Sequence, residues 1–362
     1  MSLSTSSSNC WRSFAFVFLG VLITLLSIIY ITIVMIDPFD NLPVSPELNR
    51  VQVSGSDRFF KPSVARRPNY DSAIIGTSSV MLINPERLGK KLDAKFATLA
   101  MPAASAFEQL RLLKLFAKHH SKIRQVFVGV DHAWCKQDRT EQLLGANIGN
   151  RIPDELYDEN HWNNWPRLSG TMIKYTKRQW KALHDDMQEP AGHDGFFDFT
   201  REYPPYDLRH VQSKLYKNQN PLPKPGSVIF PEISEDKRRT WIFPDLMDLQ
   251  RSLSSLPTET KKVLIFVPFH WYEQSRSFST FEECKKRVIE WDGQVENLYV
   301  IDFMRNSDIT LEDNNYWDPI HFVRKIAENI ESVVAETLKG NRISGKDYNY
   351  LLLPEVVSIE NQ

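Results

Sequence analysis

Two short segments, far apart in the chain, carry side chains able to act together. Gly76-Thr77-Ser78-Ser79 follows the apolar run Ser72-Ala73-Ile74-Ile75, and Asp318-Pro319-Ile320-His321 stands near the start of the last expected helix. A hydroxyl is a weak nucleophile until an imidazole takes its proton. The imidazole in turn needs a carboxylate that fixes its tautomer and stabilises its charged form. Ser78, His321 and Asp318 are the residue types for such a relay. The three-residue spacing lets Asp318 reach the inner ring nitrogen of His321 within one turn, leaving the outer nitrogen for Ser78. Each segment alone has a plainer reading. Ser78 or Ser79 can serve as a helix N-cap, and aspartate followed by proline is a common helix start. The first segment also lacks the second glycine of the Gly-x-Ser-x-Gly elbow. What joins them is position: both fall at expected carboxyl ends of strands, where open α/β sheets bind their ligands.

The elements that must hold these residues follow from the hydrophobic pattern. Ser72-Ala73-Ile74-Ile75-Gly76, Phe96-Ala97-Thr98-Leu99, Gln125 to Val130, Lys262 to Pro268 and Leu298 to Asp302 read as buried strands. Between them lie helical stretches. One opens at the capping box Ser105-Ala106-Phe107-Glu108 and runs to about His119. A second opens at Thr280-Phe281-Glu282-Glu283 and runs to about Trp291, and a last one spans Phe322 to Leu338. Strands alternating with helices predict a flavodoxin-like, three-layer α/β fold around a parallel sheet, within residues 71–345. Residues 135–244 interrupt the alternation. This stretch is polar, aromatic and turn-rich, as in His161-Trp162-Asn163-Asn164-Trp165-Pro166 and Tyr203-Pro204-Pro205-Tyr206, with a possible helix from Thr171 to His184. Its length predicts an ordered insertion. Its aromatic rings either stack on sugars or form a satellite core. Residues 346–362 read as a C-terminal tail.

Composition narrows the class. The chain has 362 residues, 42% of them hydrophobic and 25% charged, with net charge -1. That suits a globular domain with a sizeable core and argues against a nucleic-acid partner. Phe14 to Ile36 contains no charged residue and is long enough to cross a bilayer. A cleaved signal peptide is the alternative; the stretch is longer than a usual h-region, and no small-x-small site precedes Asp37-Pro38. The expected layout is a cytoplasmic tail (1–13), a transmembrane helix (14–36) and a linker of little regular structure (37–70). Arg12 before the span and Asp37 and Asp40 after it favour an N-terminus inside. The body then lies outside the cytoplasm, periplasmic if the cell is a Gram-negative bacterium. Cys10, Cys135 and Cys284 are too scattered for a disulfide framework or a zinc site. Separate core thiols are the expectation for Cys135 and Cys284, with a bridge between them the alternative.

The two chemical segments, with Tyr316-Trp317-Asp318-Pro319-Ile320-His321-Phe322 as the most specific match, resemble the SGNH (GDSL-like) hydrolase superfamily. The resemblance is greatest to membrane-anchored members associated with bacterial exopolysaccharide and cell-wall acylation, such as the D-alanyl transfer and alginate O-acetylation proteins. It covers roughly Asp71 to Leu338 without the insertion. It implies Ser78 as nucleophile, His321 as base and Asp318 as its orienting carboxylate. It also implies an oxyanion hole built from the Ser78 amide and a second-block amide near Ala104, in Met101-Pro102-Ala103-Ala104-Ser105, where alanine stands in place of glycine. The third block departs further. Val130-Asp131-His132-Ala133-Trp134 has no asparagine to complete the hole, and an ionised Asp131 cannot donate.

Other candidates stand on the same rim. His270, in Pro268-Phe269-His270-Trp271, together with His132 and Trp134, is a candidate for substrate binding; packing at a strand end is the plainer alternative for His270. No Walker loop, Gly-x-Gly-x-x-Gly turn or His-Glu-x-x-His motif occurs, and no carboxylate cluster suggests a metal. The expectation is therefore an esterase or O-acyltransferase with no cofactor. By the resemblance, it acts on an extracytoplasmic polysaccharide or acylated glycan, with a membrane acyl-donor transporter as a further partner. The rival expectation is an inactive scaffold or glycan-binding component of a polysaccharide export system.

Overall fold

A computed structural model describes residues 6–53, 55–137, 168–184, 192–227, 233–341 and 345–354. The expected aromatic segment His161 to Pro166 lies outside the described residues. Six strands form one sheet: β1 (Ser72–Ile75), β2 (Phe96–Thr98), β3 (Gln125–Val130), β4 (Lys261–Phe266), β5 (Leu298–Asp302) and β6 (Asn349–Leu352). The spatial order is β2-β1-β3-β4-β5-β6. The first five pair in parallel, and β6 runs antiparallel to β5. The residues expected as a tail thus include an edge strand.

The strands form because their residues are apolar on both faces. All of β1, β2 and β3 is buried, and β4 is buried beyond its first residue. Such continuous burial belongs to parallel sheets covered on both sides. The order 2-1-3-4-5 reverses direction between β1 and β3, which makes the carboxyl end of β1 the switch point where doubly wound sheets bind ligands.

Twelve helices are described. In chain order they are α1 (Ser6–Ile36), α2 (Asp57–Arg66), α3 (Pro85–Leu92), α4 (Ala106–His119), α5 (Gly170–His184), α6 (Leu208–Leu215), α7 (Glu235–Arg239), α8 (Pro244–Ser254), α9 (Trp271–Arg276), α10 (Phe278–Ile289), α11 (Asp308–Leu311) and α12 (Arg324–Leu338). The first expected capping box is present. Ser105 Oγ accepts from the Glu108 amide at 3.2 Å, and the Glu108 carboxylate accepts from the Ser105 amide at 2.9 Å. The second is not. Thr280 and Glu283 lie inside α10, which already starts at Phe278 because Ser277 ends the preceding turn.

Residues 37–70 are more than a linker, because α2 is packed into the body. Phe60, Val64 and Ala65 join the main core, Arg58 pairs with Glu108 at 2.6 Å, and buried Lys61 donates to the carbonyl oxygens of Thr98 and Gly195 at 3.0 and 2.5 Å. Ahead of it stands α1. Its stretch Cys10–Ile36 has 27 residues, and an 18-residue window within it has mean hydropathy 2.7. At 1.5 Å per residue it extends about 40 Å, against roughly 30 Å of bilayer hydrocarbon. It is apolar and long enough to cross a membrane, a property that a signal sequence shares. Its side chains are mostly exposed until Ile33 and Ile36, which are buried.

The cysteines differ from expectation. Cys135, just beyond β3, and Cys284, in α10, form a disulfide across 149 positions, with Cα atoms 5.6 Å apart. The spacing gave no hint because the bridge joins two distant parts of one core and encloses the whole insertion. Thiol titration of the denatured, unreduced protein should count one reactive thiol, Cys10, and count three after reduction. Replacing Cys135 and Cys284 by serine should lower unfolding free energy by about 2–5 kcal/mol. Three reactive thiols before reduction would contradict the bridge.

Candidate functional site

The turn after β1 is shaped by two glycines. A Cβ on either Gly76 or Gly129 would collide with Val80, so their absence lets Val80 lie against the ends of β1 and β3. The chain therefore turns at once into the short 3-10 helix Ser78–Val80. Thr77 caps it by accepting from the Ser79 amide at 3.2 Å. The N-cap is Thr77 and not either serine, which leaves the half-buried Ser78 hydroxyl unused by the cap.

Asp131, at the end of β3, braces this turn from below. One carboxylate oxygen accepts from the Thr77 hydroxyl and, at 2.9 Å, from the Ser79 hydroxyl; the other accepts from the Ala133 amide at 2.8 Å. A buried carboxylate is tolerable only when hydrogen-bonded in this way. Both its oxygens accept, so Asp131 fixes the flanks of Ser78 and offers no donor to a bound substrate.

The second segment is a small closed loop, not a helix start, since α12 begins only at Arg324. Tyr316 and Phe322 bridge in antiparallel fashion, and the Trp317 amide donates to the His321 carbonyl at 2.8 Å. Inside the loop, Asp318 Oδ1 accepts from the amides of Ile320 and His321 at 3.0 and 3.1 Å. Its Oδ2 lies 2.6 Å from His321 Nδ1, and His321 Nε2 lies 2.7 Å from Ser78 Oγ. Burial pushes the Asp318 carboxyl up, but the His321 hydrogen bond, the imidazole charge and the two amides outweigh it and hold the group below its ordinary value. An ionised Asp318 only accepts, so Nδ1 carries the ring proton. In the neutral imidazole Nε2 is then the acceptor and the Ser78 hydroxyl the donor.

The remaining expected residues fall out differently. His270 is fully buried, with Nε2 3.0 Å from Asp313 Oδ1 and Nδ1 accepting from the Tyr272 amide at 3.4 Å. Its backbone amide donates to the Pro319 carbonyl at 2.9 Å, which ties the segment after β4 to the loop that carries Asp318 and His321. It positions; it does not face a ligand. Trp134 is also fully buried and has no exposed face for a substrate. His132 is part-exposed and packs between Phe269 and Phe281, with ring centroids 5.2 and 4.8 Å away. Its Nε2 lies 3.8 Å from the Glu273 carboxylate, and burial lowers its pKa against the pull of Asp131 and Glu273. The Ala104 amide is turned to the Met101 carbonyl at 3.3 Å. Pro102 and Ala103 are the exposed residues of that turn, and Ala103 is held at φ 48°, a left-handed conformation that favours glycine and costs alanine on the order of 1 kcal/mol. The Met101 amide donates to the Gly76 carbonyl at 3.2 Å, which sets this turn beside the Ser78 turn.

Two groups were not legible beforehand. Asp313 collects the Tyr216 hydroxyl at 2.6 Å and the Gln212 amide at 2.8 Å in addition to His270, which fastens α6 of the insertion to the loop ahead of Asp318. An aromatic wall stands over the other side. Phe199 lies 5.4 Å from the His321 ring, while Tyr203 and Tyr206 lie 5.3 and 5.0 Å from Trp317. The Tyr203-Pro204-Pro205-Tyr206 motif was the signal; its placement beside His321 was not. Among the described residues, no cluster of three or more His, Cys, Asp or Glu side chains could hold a metal.

No protein-family model matches the chain, and no curated protein matches it in sequence. Among solved structures it is similar to one described as a "putative platelet activating factor" from Streptococcus pneumonia, at 9% identity and a TM-score of 0.35. That match covers 78% of this chain and 91% of the other. Likeness this distant says nothing about chemistry.

Burial raises the Asp313 carboxyl, but its bonds from His270, Tyr216 and Gln212 outweigh burial and hold it below the ordinary 3.8. A depressed acid stabilises the fold fully above its unfolded value and loses that contribution as pH falls through the folded one. The stability gap between wild type and Asp313→Asn, measured by denaturant titration, should be open at pH 7 and close below about pH 3.8. A gap that widens with acid would contradict this.

Proposed function

We propose that this chain is a membrane-anchored serine esterase or O-acyltransferase of SGNH type, acting on an acylated glycan outside the cytoplasm. The observation that carries the proposal is the pair of short hydrogen bonds running from Ser78 Oγ through His321 to Asp318, 2.7 and 2.6 Å long. In this reading Ser78 attacks an ester carbonyl while Nε2 of His321 takes its proton. The tetrahedral oxyanion collapses, His321 returns the proton to the leaving oxygen, and an acyl-Ser78 ester remains. Water as the second acceptor gives hydrolysis; a sugar hydroxyl gives transfer.

The oxyanion is assigned to the Ser78 amide and to the Met101–Ala104 turn. Ala103 is the better donor in that turn, since Ala104's amide is occupied. With Asp131 an acceptor only, the third donor of the family is missing. One lost donor typically costs about 10²–10³ in rate. The aromatic wall of Phe199, Tyr203, Tyr206 and Trp317 supports a sugar substrate, whose apolar ring faces stack on such rings. The buried Cys135–Cys284 bridge supports an extracytoplasmic body, because structural disulfides persist in oxidising compartments. The apolar α1 supports the anchor.

The purified full-length protein should hydrolyse a simple activated ester such as 4-nitrophenyl acetate. Ser78→Ala should abolish that turnover with the circular dichroism unchanged. Asp318→Asn should lower it by about 10³–10⁴, through the wrong imidazole tautomer. Undiminished turnover in Ser78→Ala would rule out the assignment and leave a glycan-binding or scaffold role.

A further inference from the structure

Helix α5 sits where the body meets the apolar span. It packs against α1. Tyr175 lies 5.4 Å from Phe39, three residues beyond the end of α1, and its hydroxyl donates to the Gly55 carbonyl at 2.7 Å. The Gln179 carboxamide pairs with the amide and carbonyl of Val51 at 2.9 and 3.0 Å. Phe39, Val53 and Tyr175 form a small core of their own, separate from the main one, with Phe59, Met172 and Ala182 against it. One face of α5 is thus fixed to the juxtamembrane segment.

The opposite face is unlike an ordinary solvated helix. Ile173, Lys177, Trp180 and His184 follow one another at spacings of four, three and four, and Ile173 and Trp180 are 44% and 51% exposed. Leu168, just ahead of the helix, is 42% exposed. Lys174, Lys177, Arg178 and Lys181 supply the charge, and Gly170–His184 contains no acidic residue. Cations flanking an exposed tryptophan and aliphatics are the pattern of a helix lying in a bilayer interface. At about 40 Å, α1 exceeds the hydrocarbon thickness by roughly 10 Å, so its last turns, near α5, emerge at headgroup level.

We propose that α5 lies on the membrane surface beside α1, with Ile173 and Trp180 in the headgroup boundary and its lysines and arginine against anionic lipid phosphates. The inference rests on reading α1 as a membrane span. A second attachment next to the span restricts tilting of the body, and so holds the carboxyl edge of the sheet at a set height above the bilayer.

The test uses the full-length chain with Cys10→Ser and single spin labels, in vesicles of phosphatidylcholine and phosphatidylglycerol. Labels are placed at Leu22→Cys in the span, Ile173→Cys on α5 and Lys90→Cys on the exposed end of α3. Relaxation by oxygen, which partitions into lipid, is compared with relaxation by a water-soluble nickel chelate. The expected result is oxygen-dominated relaxation at positions 22 and 173 and nickel-dominated relaxation at position 90. The combined Lys174→Glu, Lys177→Glu and Lys181→Glu variant should shift position 173 toward the pattern of position 90. A lipid signal at 22 with an aqueous signal at 173 would overturn the proposal while leaving the anchor intact. Shielding of 173 from both reagents would overturn it in favour of a protein partner. An aqueous signal at 22 would remove the span itself and the inference with it.

Discussion

The hydrogen bond between Ser78 and His321 joins groups 243 positions apart, and the architecture of the body serves to keep it short. Neither residue lies on a long helix or strand. Ser78 sits in a three-residue 3-10 turn and His321 in a seven-residue loop. Their positions are therefore set by what holds those turns. The parallel sheet does the coarse work, since strands running in one direction deliver all their carboxyl ends to a single edge. The reversal of strand order between β1 and β3 opens the crevice there.

Fine positioning comes from three carboxylates that act only as acceptors. Asp131 gathers the hydroxyls beside Ser78. Asp318 closes its own loop with one oxygen and orients the imidazole with the other. Asp313 fastens the insertion to the 3-10 turn, Asp313–Asn315, that leads into that loop. Each would be costly to bury alone, and each is offset by several donors. Asp131, at the end of β3, braces the turn that carries Ser78 through the Thr77 and Ser79 hydroxyls. Phe199, Tyr203 and Tyr206, on the stretch of the insertion just ahead of α6, bring its aromatic rings beside His321 and Trp317, so the insertion forms one side of the site.

Much of this was legible in the residues. The five parallel strands are apolar runs bounded by turn residues, and the Ser105–Glu108 capping box fixed the start of α4. The relay residues were legible because their types and their places after strands coincide. Other features were not. The α2 helix was hidden by Pro62, which reads as a breaker, although Phe60 and Val64 share a helical face. The α3 helix carries the Asn84-Pro85 start signal, but it has only eight residues, with Leu88 and Leu92 as its large apolar side chains, too short a run to stand out. β6 is an edge strand with its residues half exposed, so it lacks the continuous burial of its neighbours. The Cys135–Cys284 bridge and the His270–Asp313 pair depend on contacts across 149 and 43 positions, which no local pattern encodes. Trp134 and His270 stand at strand ends by sequence, yet both are fully buried, His270 between Tyr216 of the insertion and Tyr316.

The central claim is that Ser78 is an activated nucleophile, and covalent trapping tests it most directly. The full-length protein is treated with a fluorophosphonate and the modified residue is located by peptide mass spectrometry. The account predicts a single adduct on Ser78 that is lost when His321 is replaced by alanine, with Ser79 unmodified. An unlabelled Ser78, or labelling that persists without His321, would contradict it.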